Sequence, residues 1–221
     1  MNKLIFFYSD IYTYFKNHII KNLDKYFIIE PILIEELNAK KDQHTFFGGV
    51  SIKIELVIQK IKENLGKFII FTDATIFINE KNCNQLSDFF DFYKNYDLCF
   101  PNNLIGEHLY NIGIMLINCN ENTLDFFENV LIVLKASSGW DQDIVNKCLS
   151  EKHKLKIGLF SEKKIVCGYH LEHNLKDEFF IFKSFINHTP NVKNNYNKRI
   201  QIFYDANLIS FDEYQKNIIK D

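Results

Sequence analysis

The sequence predicts an α/β fold in a single domain, with a mostly parallel sheet flanked by helices, and three observations predict it. Two short apolar runs, Leu4 to Tyr8 and Lys67 to Thr72, are rich in β-branched and aromatic residues and read as buried strands. Ahead of the second run, Ile54, Val57, Ile58, Ile61 and Leu65 recur on one helical face that Gly66 ends. Strand, helix, strand, helix, strand within the first 75 residues is the order of βαβ units.

Taken along the chain, Ile11 to Leu23 reads as a helix capped by Asp10, and Tyr26–Ile29 and Ile32–Ile34 as extended chain. The amphipathic helix follows Gly48-Gly49, with Lys53 at its front, and leads into the Phe68 strand. That strand ends at Thr72-Asp73-Ala74-Thr75, which puts Asp73 at the carboxyl rim where ligands bind in such sheets. Beyond it, Leu86–Tyr93 reads as helix, and Asp97–Phe100 and Tyr110–Ile117 as strands. Leu124–Leu134 reads as a helix with Thr123 as cap, and another helix starts at Asp141. Leu155–Phe160, Ile165–Cys167 and Phe180–Ile186 read as extended, and Ser210 with Glu213 as a capping box opening a final helix through Ile219.

Composition bounds the function. A chain of 221 residues, 47% hydrophobic and 24% charged, can bury one sizeable core without disulfides. Lys+Arg 26 against Asp+Glu 28 leaves a net charge of -2, too little positive surplus for a general nucleic-acid or anionic-membrane binder. Arg199 is the sole arginine, so phosphate contacts must come from lysines and backbone N–H groups. The five cysteines, Cys83, Cys99, Cys119, Cys148 and Cys167, are widely spaced with no CxxC pair and fit a reducing compartment. With no apolar run of membrane-spanning length and no cleavable leader pattern, a soluble cytoplasmic protein is expected. Cys167-x-x-His170-x-x-His173 has zinc-like spacing but lacks a nearby fourth ligand pair.

Four segments interrupt apolar chain with polar residues: Phe71-Thr72-Asp73-Ala74-Thr75-Ile76, Tyr110-Asn111-Ile112-Gly113-Ile114-Met115, Trp140-Asp141-Gln142-Asp143-Ile144-Val145-Asn146, and Ile186-Asn187-His188-Thr189-Pro190-Asn191-Val192-Lys193. Singly, each has an ordinary structural explanation, as a turn, a helix cap or a solvated face. In this order and at these intervals they resemble the motif set of GT-A fold nucleotide-diphospho-sugar glycosyltransferases, most closely the glycogenin-like and plant cell-wall-like retaining groups.

That resemblance implies a single Rossmann-like domain over 1–221, with nucleotide-binding βα units in 1–75 and the donor-sugar and acceptor half in 76–221. It implies transfer of a hexosyl or pentosyl group from a nucleoside-diphosphate donor such as a UDP-sugar to a glycan or other hydroxyl acceptor, with retention. Asp73 matches the first acid of the family's Asp-x-Asp signature and Thr75 stands at the second, where a hydroxyl weakens a Mn²⁺ or Mg²⁺ site. The metal then rests on Asp73 and His188, or the protein is metal-independent or impaired. Asn111 and Gly113 match an Asn-x-Gly turn that lets the sugar approach the backbone. Asp141, Gln142 and Asp143, with Asn146, match an Asp-Gln-Asp-x-x-Asn signature facing the anomeric carbon, the first three in the catalytic role. His188 and Lys193 keep a His-x-Gly-x-x-Lys spacing, with Pro190 in the glycine position, for the diphosphate. By position alone, Lys53 is a nucleotide contact, and Ser9, Asp10 and Tyr12 touch base and ribose.

Two other readings stay open. A chain of the same fold could bind a sugar nucleotide or glycan without turning it over. A haloacid-dehalogenase-like phosphotransferase also places an Asp after a strand, but needs a second acid where Thr75 sits.

Overall fold

The computed structural model describes residues 1–34, 45–102, 109–137, 139–168, 178–184 and 191–219. The strands are β1 (Lys3–Tyr8), β2 (Ile28–Leu33), β3 (Phe68–Asp73), β4 (Ile76–Ile78), β5 (Leu98–Phe100), β6 (Ile114–Asn118), β7 (Ile157–Leu159), β8 (Ile165–Gly168) and β9 (Ile181–Ser184). The helices are α1 (Thr13–Leu23), α2 (Thr45–Glu63), α3 (Leu86–Phe92), α4 (Glu121–Ala136), α5 (Asp141–Ser150), α6 (Val192–Asp205) and α7 (Phe211–Asn217).

The main sheet has the order β2-β1-β3-β6-β5-β7. Only β6 runs against the rest, antiparallel to both β3 and β5, so the mostly parallel sheet expected from the βαβ order is present. Period-2 alternation sends successive side chains to opposite faces. Ile5, Ile69, Phe71, Met115 and Ile117 pack with Ile54, Val57, Ile58 and Ile61 of α2, Phe127 and Val130 of α4, and Val145 of α5. Leu4, Phe6, Ile70, Ile114 and Leu116 pack the other way, against Ile19 and Leu23 of α1, Leu86 and Phe90 of α3, and Ile76, Ile78 and Ile181 of a second, small sheet. That sheet has the order β4-β9-β8. His18 of α1 ties it down: its Nε2 accepts from the Ile78 N–H at 3.0 Å, and its ring stacks on Phe77 with centroids 4.5 Å apart.

Several local expectations are corrected. Asp10 does not cap α1 with its side chain; the chain enters through a 3-10 turn at Asp10–Tyr12. The two runs around Pro31 form the single strand β2, which tolerates proline because it is an edge paired only with β1. α2 begins at Thr45 and takes Gly48-Gly49 into the helix, so Lys53 sits about two turns inside it rather than at its front. Leu65 lies past the helix end and is 54% exposed, while Gly66 takes the positive φ of 77° that closes the turn into β3. Asn120, not Thr123, caps α4; Thr123 is the reciprocal partner of the capping box. At α7, Ser210 accepts from the Glu213 N–H as expected, but the Glu213 carboxylate turns away to accept from the Tyr14 hydroxyl at 2.8 Å.

α6 was not legible in the sequence. Its asparagine-rich start has poor helix propensity. Packing overrides that preference: Tyr196, Ile200 and Phe203, spaced four and three apart, are buried with Phe15, Phe77 and Phe182. No described helix is long and apolar enough to cross a membrane.

Candidate active site

The rim is built where β3 and β6 meet. Because β6 is antiparallel, the end of one strand lies beside the start of the other, and Thr72 pairs with Ile114. The Asp73 N–H donates to the Gly113 carbonyl at 2.9 Å, and the Thr72 hydroxyl donates to the same carbonyl at 3.0 Å. Asp73 and the Asn111–Gly113 turn are thereby fixed side by side.

Two lysines converge on Asp73. Lys53 Nζ, from α2, donates to Asp73 Oδ1 at 3.0 Å. Lys183 Nζ, from β9, donates to Asp73 Oδ2 at 2.8 Å and to Thr75 Oγ1 at 2.7 Å. Lys183 arrives there through strand register: β9 runs antiparallel to β4, and Lys183 faces Ile76, next to Thr75. Both lysine side chains are nearly sealed, at 7% and 6% exposed, whereas Asp73 keeps 26% of its side chain open to the rim.

Electrostatics follow from this packing. Burial alone would raise the Asp73 carboxyl, but the Lys183 and Lys53 ammoniums outweigh it and hold the group well below the usual carboxylate range. Burial lowers Lys53, and the Asp73 and Asp141 carboxylates more than reverse this. Lys183 is brought down to about 8 by burial, with Asp73 opposing and the Arg199 and Lys53 charges adding to the fall. Asp141 is raised by burial, against the pull of Lys53.

The α5 start lies across from this cluster. Asp141 Oδ2 is 3.8 Å from Lys53 Nζ, and Asp141 Oδ1 accepts from the Gln142 N–H at 2.9 Å. Gln142 Oε1 accepts from Asn111 Nδ2 at 3.1 Å, and Asn111 Oδ1 accepts from the Gly113 N–H at 2.9 Å. Asn146 works as a brace. Its Oδ1 accepts from the Tyr110 N–H at 2.9 Å, and its Nδ2 donates to the Tyr110 carbonyl at 2.9 Å and the Gln142 carbonyl at 2.8 Å. Asn146→Ala leaves the Tyr110 pair without its partner and is expected to cost about 1–3 kcal/mol. Urea unfolding monitored by circular dichroism checks it.

The structure places the sequence-based candidates differently. Lys53, Asp73, Thr75, Asn111, Gly113, Asp141 and Gln142 are joined in one network of hydrogen bonds and ion pairs. Asn146 braces it, and Asp143 lies in the first turn of the same helix. Ser9, Asp10 and Tyr12 follow β1, whose Phe7 pairs with Asp73. Of these, Tyr12 reaches furthest, hydrogen-bonding with Arg199; burial raises its hydroxyl against the pull of that guanidinium. Lys193 is the second residue of α6, partly exposed near that helix's N-terminus. His188 lies outside the described residues, as do His170 and His173 of the zinc-like spacing.

Lys183 was missed. Its signal in the sequence is a lone charge within the run from Phe180 to Ile186, which reads only as extended chain. Gly113 is tied to it, since a Cβ there would meet Lys183 Cε and Asn111 Oδ1 at 2.8 Å each and Asp73 Oδ2 at 3.1 Å. Gly113→Ala is expected to cost about 1–3 kcal/mol by overpacking, read as a lowered midpoint in thermal unfolding.

The described part of the expected metal set, Asp73 with Thr75, does not fit a divalent cation; His188 lies outside the described residues. Mn²⁺ and Mg²⁺ need several oxygen ligands, carboxylates foremost. Both Asp73 oxygens and the Thr75 hydroxyl are already engaged by ammonium groups, so a divalent cation on them would press against two positive charges. Among the described residues no group of three or more His, Cys, Asp or Glu side chains could hold a metal.

Residues 51–199 match a protein family described as nucleotide-diphospho-sugar transferase, a span that holds the whole Asp73 network. No curated protein matches the sequence. Solved structures do. One is a glycosyltransferase involved in glycosylation of the major capsid of PBCV-1, at 11% identity and TM-score 0.62, over 94% of this chain and 100% of that one. Another is the glycosyltransferase GlyE of Streptococcus pneumoniae TIGR4, at 10% identity and TM-score 0.55, over 100% of this chain and 66% of that one. A third is mouse xyloside xylosyltransferase 1, at 10% identity and TM-score 0.52, over 86% of this chain and 99% of that one. Identities this low carry the fold and nothing finer, and the fold they share is GT-A. With about two thirds of its length matched, the chain belongs to the nucleotide-diphospho-sugar transferase family, glycosyltransferases of the GT-A fold.

Proposed function

We propose that this chain transfers a hexosyl or pentosyl group from a nucleoside-diphosphate sugar, UDP-linked in the first instance, to a hydroxyl of a glycan or other acceptor, with retention of configuration. The observation that carries the reading is the pairing of two ammonium groups with Asp73 at the β3 rim, directly opposite the Asp141–Gln142 start of α5. One side suits a diphosphate, and the other suits the hydroxyls and developing positive charge of the sugar.

In the reaction, the bond between the anomeric carbon and the diphosphate oxygen breaks, and its electron pair leaves on that oxygen. The acceptor oxygen forms the new bond on the same face of the sugar, and its proton passes to the departing phosphate. Lys53 and Lys183 stabilise the charge that grows on the leaving group, with Lys193 at the start of α6 as a third contact. Asp141, with Asp143 beside it, faces the sugar's positive charge. Gln142 and the Asn111–Gly113 turn orient the sugar hydroxyls, and Ser9, Asp10 and Tyr12 take the base and ribose. Five unpaired cysteines, four of them buried, support work in a reducing compartment such as the cytoplasm.

A panel of UDP-, GDP-, ADP- and CDP-sugars, scored first for binding by calorimetry and then for nucleoside diphosphate release with simple sugar acceptors, tests the reading. Turnover with one donor class supports it, and NMR of the product's anomeric configuration decides retention against inversion. Binding without turnover would make the chain a sugar-nucleotide binding protein, and binding of no nucleoside diphosphate would sink both.

A further inference from the structure

We infer that the Lys183 ammonium takes the place of the divalent cation in this site, so that the chain holds the diphosphate of its donor without metal, through Lys183 and Lys53. The inference deepens the donor reading above and rests on it.

Position is the first support. Lys183 Nζ bonds both Asp73 Oδ2 and Thr75 Oγ1, bridging the two signature positions between which a cation would be held. The charge balance is the second. A divalent cation between two carboxylates sums to zero, and so do the Lys53 and Lys183 ammoniums with the Asp73 and Asp141 carboxylates. Thr75 then ceases to look like damage: its neutral hydroxyl accepts a hydrogen bond from Lys183 without adding a negative charge that an ammonium could not match.

The third support is that the surroundings are shaped for this lysine. A Cβ at Gly113 would come within 2.8 Å of Lys183 Cε, so the glycine leaves the channel through which the lysine reaches Asp73. On the other side, Arg199, 5% exposed, donates from Nη1 to the carbonyl and hydroxyl of Ser184 at 2.7 and 3.1 Å, fixing β9 one residue beyond Lys183. The chain's sole arginine is therefore a positioning residue.

Capacity for a ligand remains. An ammonium has three N–H donors, and Lys183 spends two on Asp73 and Thr75. Lys53 makes one hydrogen bond at 3.0 Å and a longer ion pair at 3.8 Å. As the anomeric carbon–oxygen bond breaks, both ammoniums face the oxygen that receives the electron pair. Neither gives up a proton, since the acceptor's proton goes to the phosphate.

Calorimetry with UDP, GDP, ADP and CDP on protein stripped with EDTA, then repeated with Mn²⁺ and with Mg²⁺, tests this. One nucleoside diphosphate should bind in EDTA, with affinity changed less than about threefold by either metal. Mn²⁺ alone, followed by electron paramagnetic resonance, should show no site tighter than millimolar. Lys183→Met should weaken the diphosphate roughly tenfold to hundredfold and leave the matching nucleoside unaffected. If that variant does not fold, Thr75→Asp, which adds the unmatched charge, should weaken diphosphate binding in EDTA by at least tenfold. Binding that appears only with Mn²⁺ or Mg²⁺, or undiminished binding in a folded Lys183→Met, overturns the inference while leaving the donor reading intact. No binding of any nucleoside diphosphate, with or without metal, overturns both.

Discussion

Asp73→Ala is expected to cost about 3–5 kcal/mol of stability, because it leaves two nearly sealed ammonium groups facing each other with no carboxylate between them. A typical domain has only about 5–15 kcal/mol in total, so the variant should unfold at a much lower urea midpoint. The pH dependence gives a second check. The folded Asp73 carboxyl is held below its unfolded value. Its contribution is therefore full above about pH 4 and is lost as pH falls from there towards the lowered folded value. The wild type should lose stability on acidification through this window more steeply than the variant does. A variant within 1 kcal/mol of wild type at pH 7 would mean that the two ion pairs do not form in solution. Donor affinity should fall with the same substitution, since without Asp73 the two lysines repel and no longer hold one arrangement.

Asp141→Ala is expected to lower turnover by about a hundredfold to a thousandfold while changing donor affinity only a few-fold. Asp141 faces positive charge that develops on the sugar only as the anomeric bond breaks, and a preorganised charge aimed at it is worth about 3–4 kcal/mol at that stage alone. Gln142→Ala should show a smaller effect of the same kind, since Gln142 Oε1 is also held by Asn111 and its removal loosens the turn at Gly113. Both variants are read from initial rates against donor concentration, where kcat falls and KM stays near wild type. Loss of donor affinity with unchanged turnover would place Asp141 on the nucleotide side of the site. Asp141 also approaches Lys53 at 3.8 Å, so a calorimetric donor titration is needed alongside the kinetics.

The features legible in the sequence were those encoded over a few consecutive residues. The β3 run announced a buried central strand, and its last residue had to lie at a carboxyl rim. The α5 start with two acids in its first turn was equally local. Lys53 was singled out by position and pairs with Asp73, although its helix begins earlier than Gly48-Gly49 suggested. What escaped depended on distant partners. Lys183 becomes part of the site only through the register of β9 on β4, and nothing near residue 183 names Asp73 as its neighbour. The α6 helix escaped for a similar reason: asparagines argue against it locally, and the aromatic cluster that stabilises it comes from α1 and both β4 and β9.

The register of β9 also has a consequence for assembly of the molecule. The bond from Lys183 to Asp73 spans 110 residues, and the bond from Lys183 to Thr75 spans 108. The entropy of closing such loops must be overcome before the contact returns anything, which places these bonds among the slowest kind to form. A chain ending before β9 would keep the βαβ half, Lys53 and Asp73, and would carry only one of the two ammoniums at its rim. Refolding followed by a core fluorophore and by binding of a fluorescent nucleoside diphosphate should then give two curves, with the ligand signal trailing the core. Competence would arrive as the last event of folding, governed by the three short strands of the second sheet.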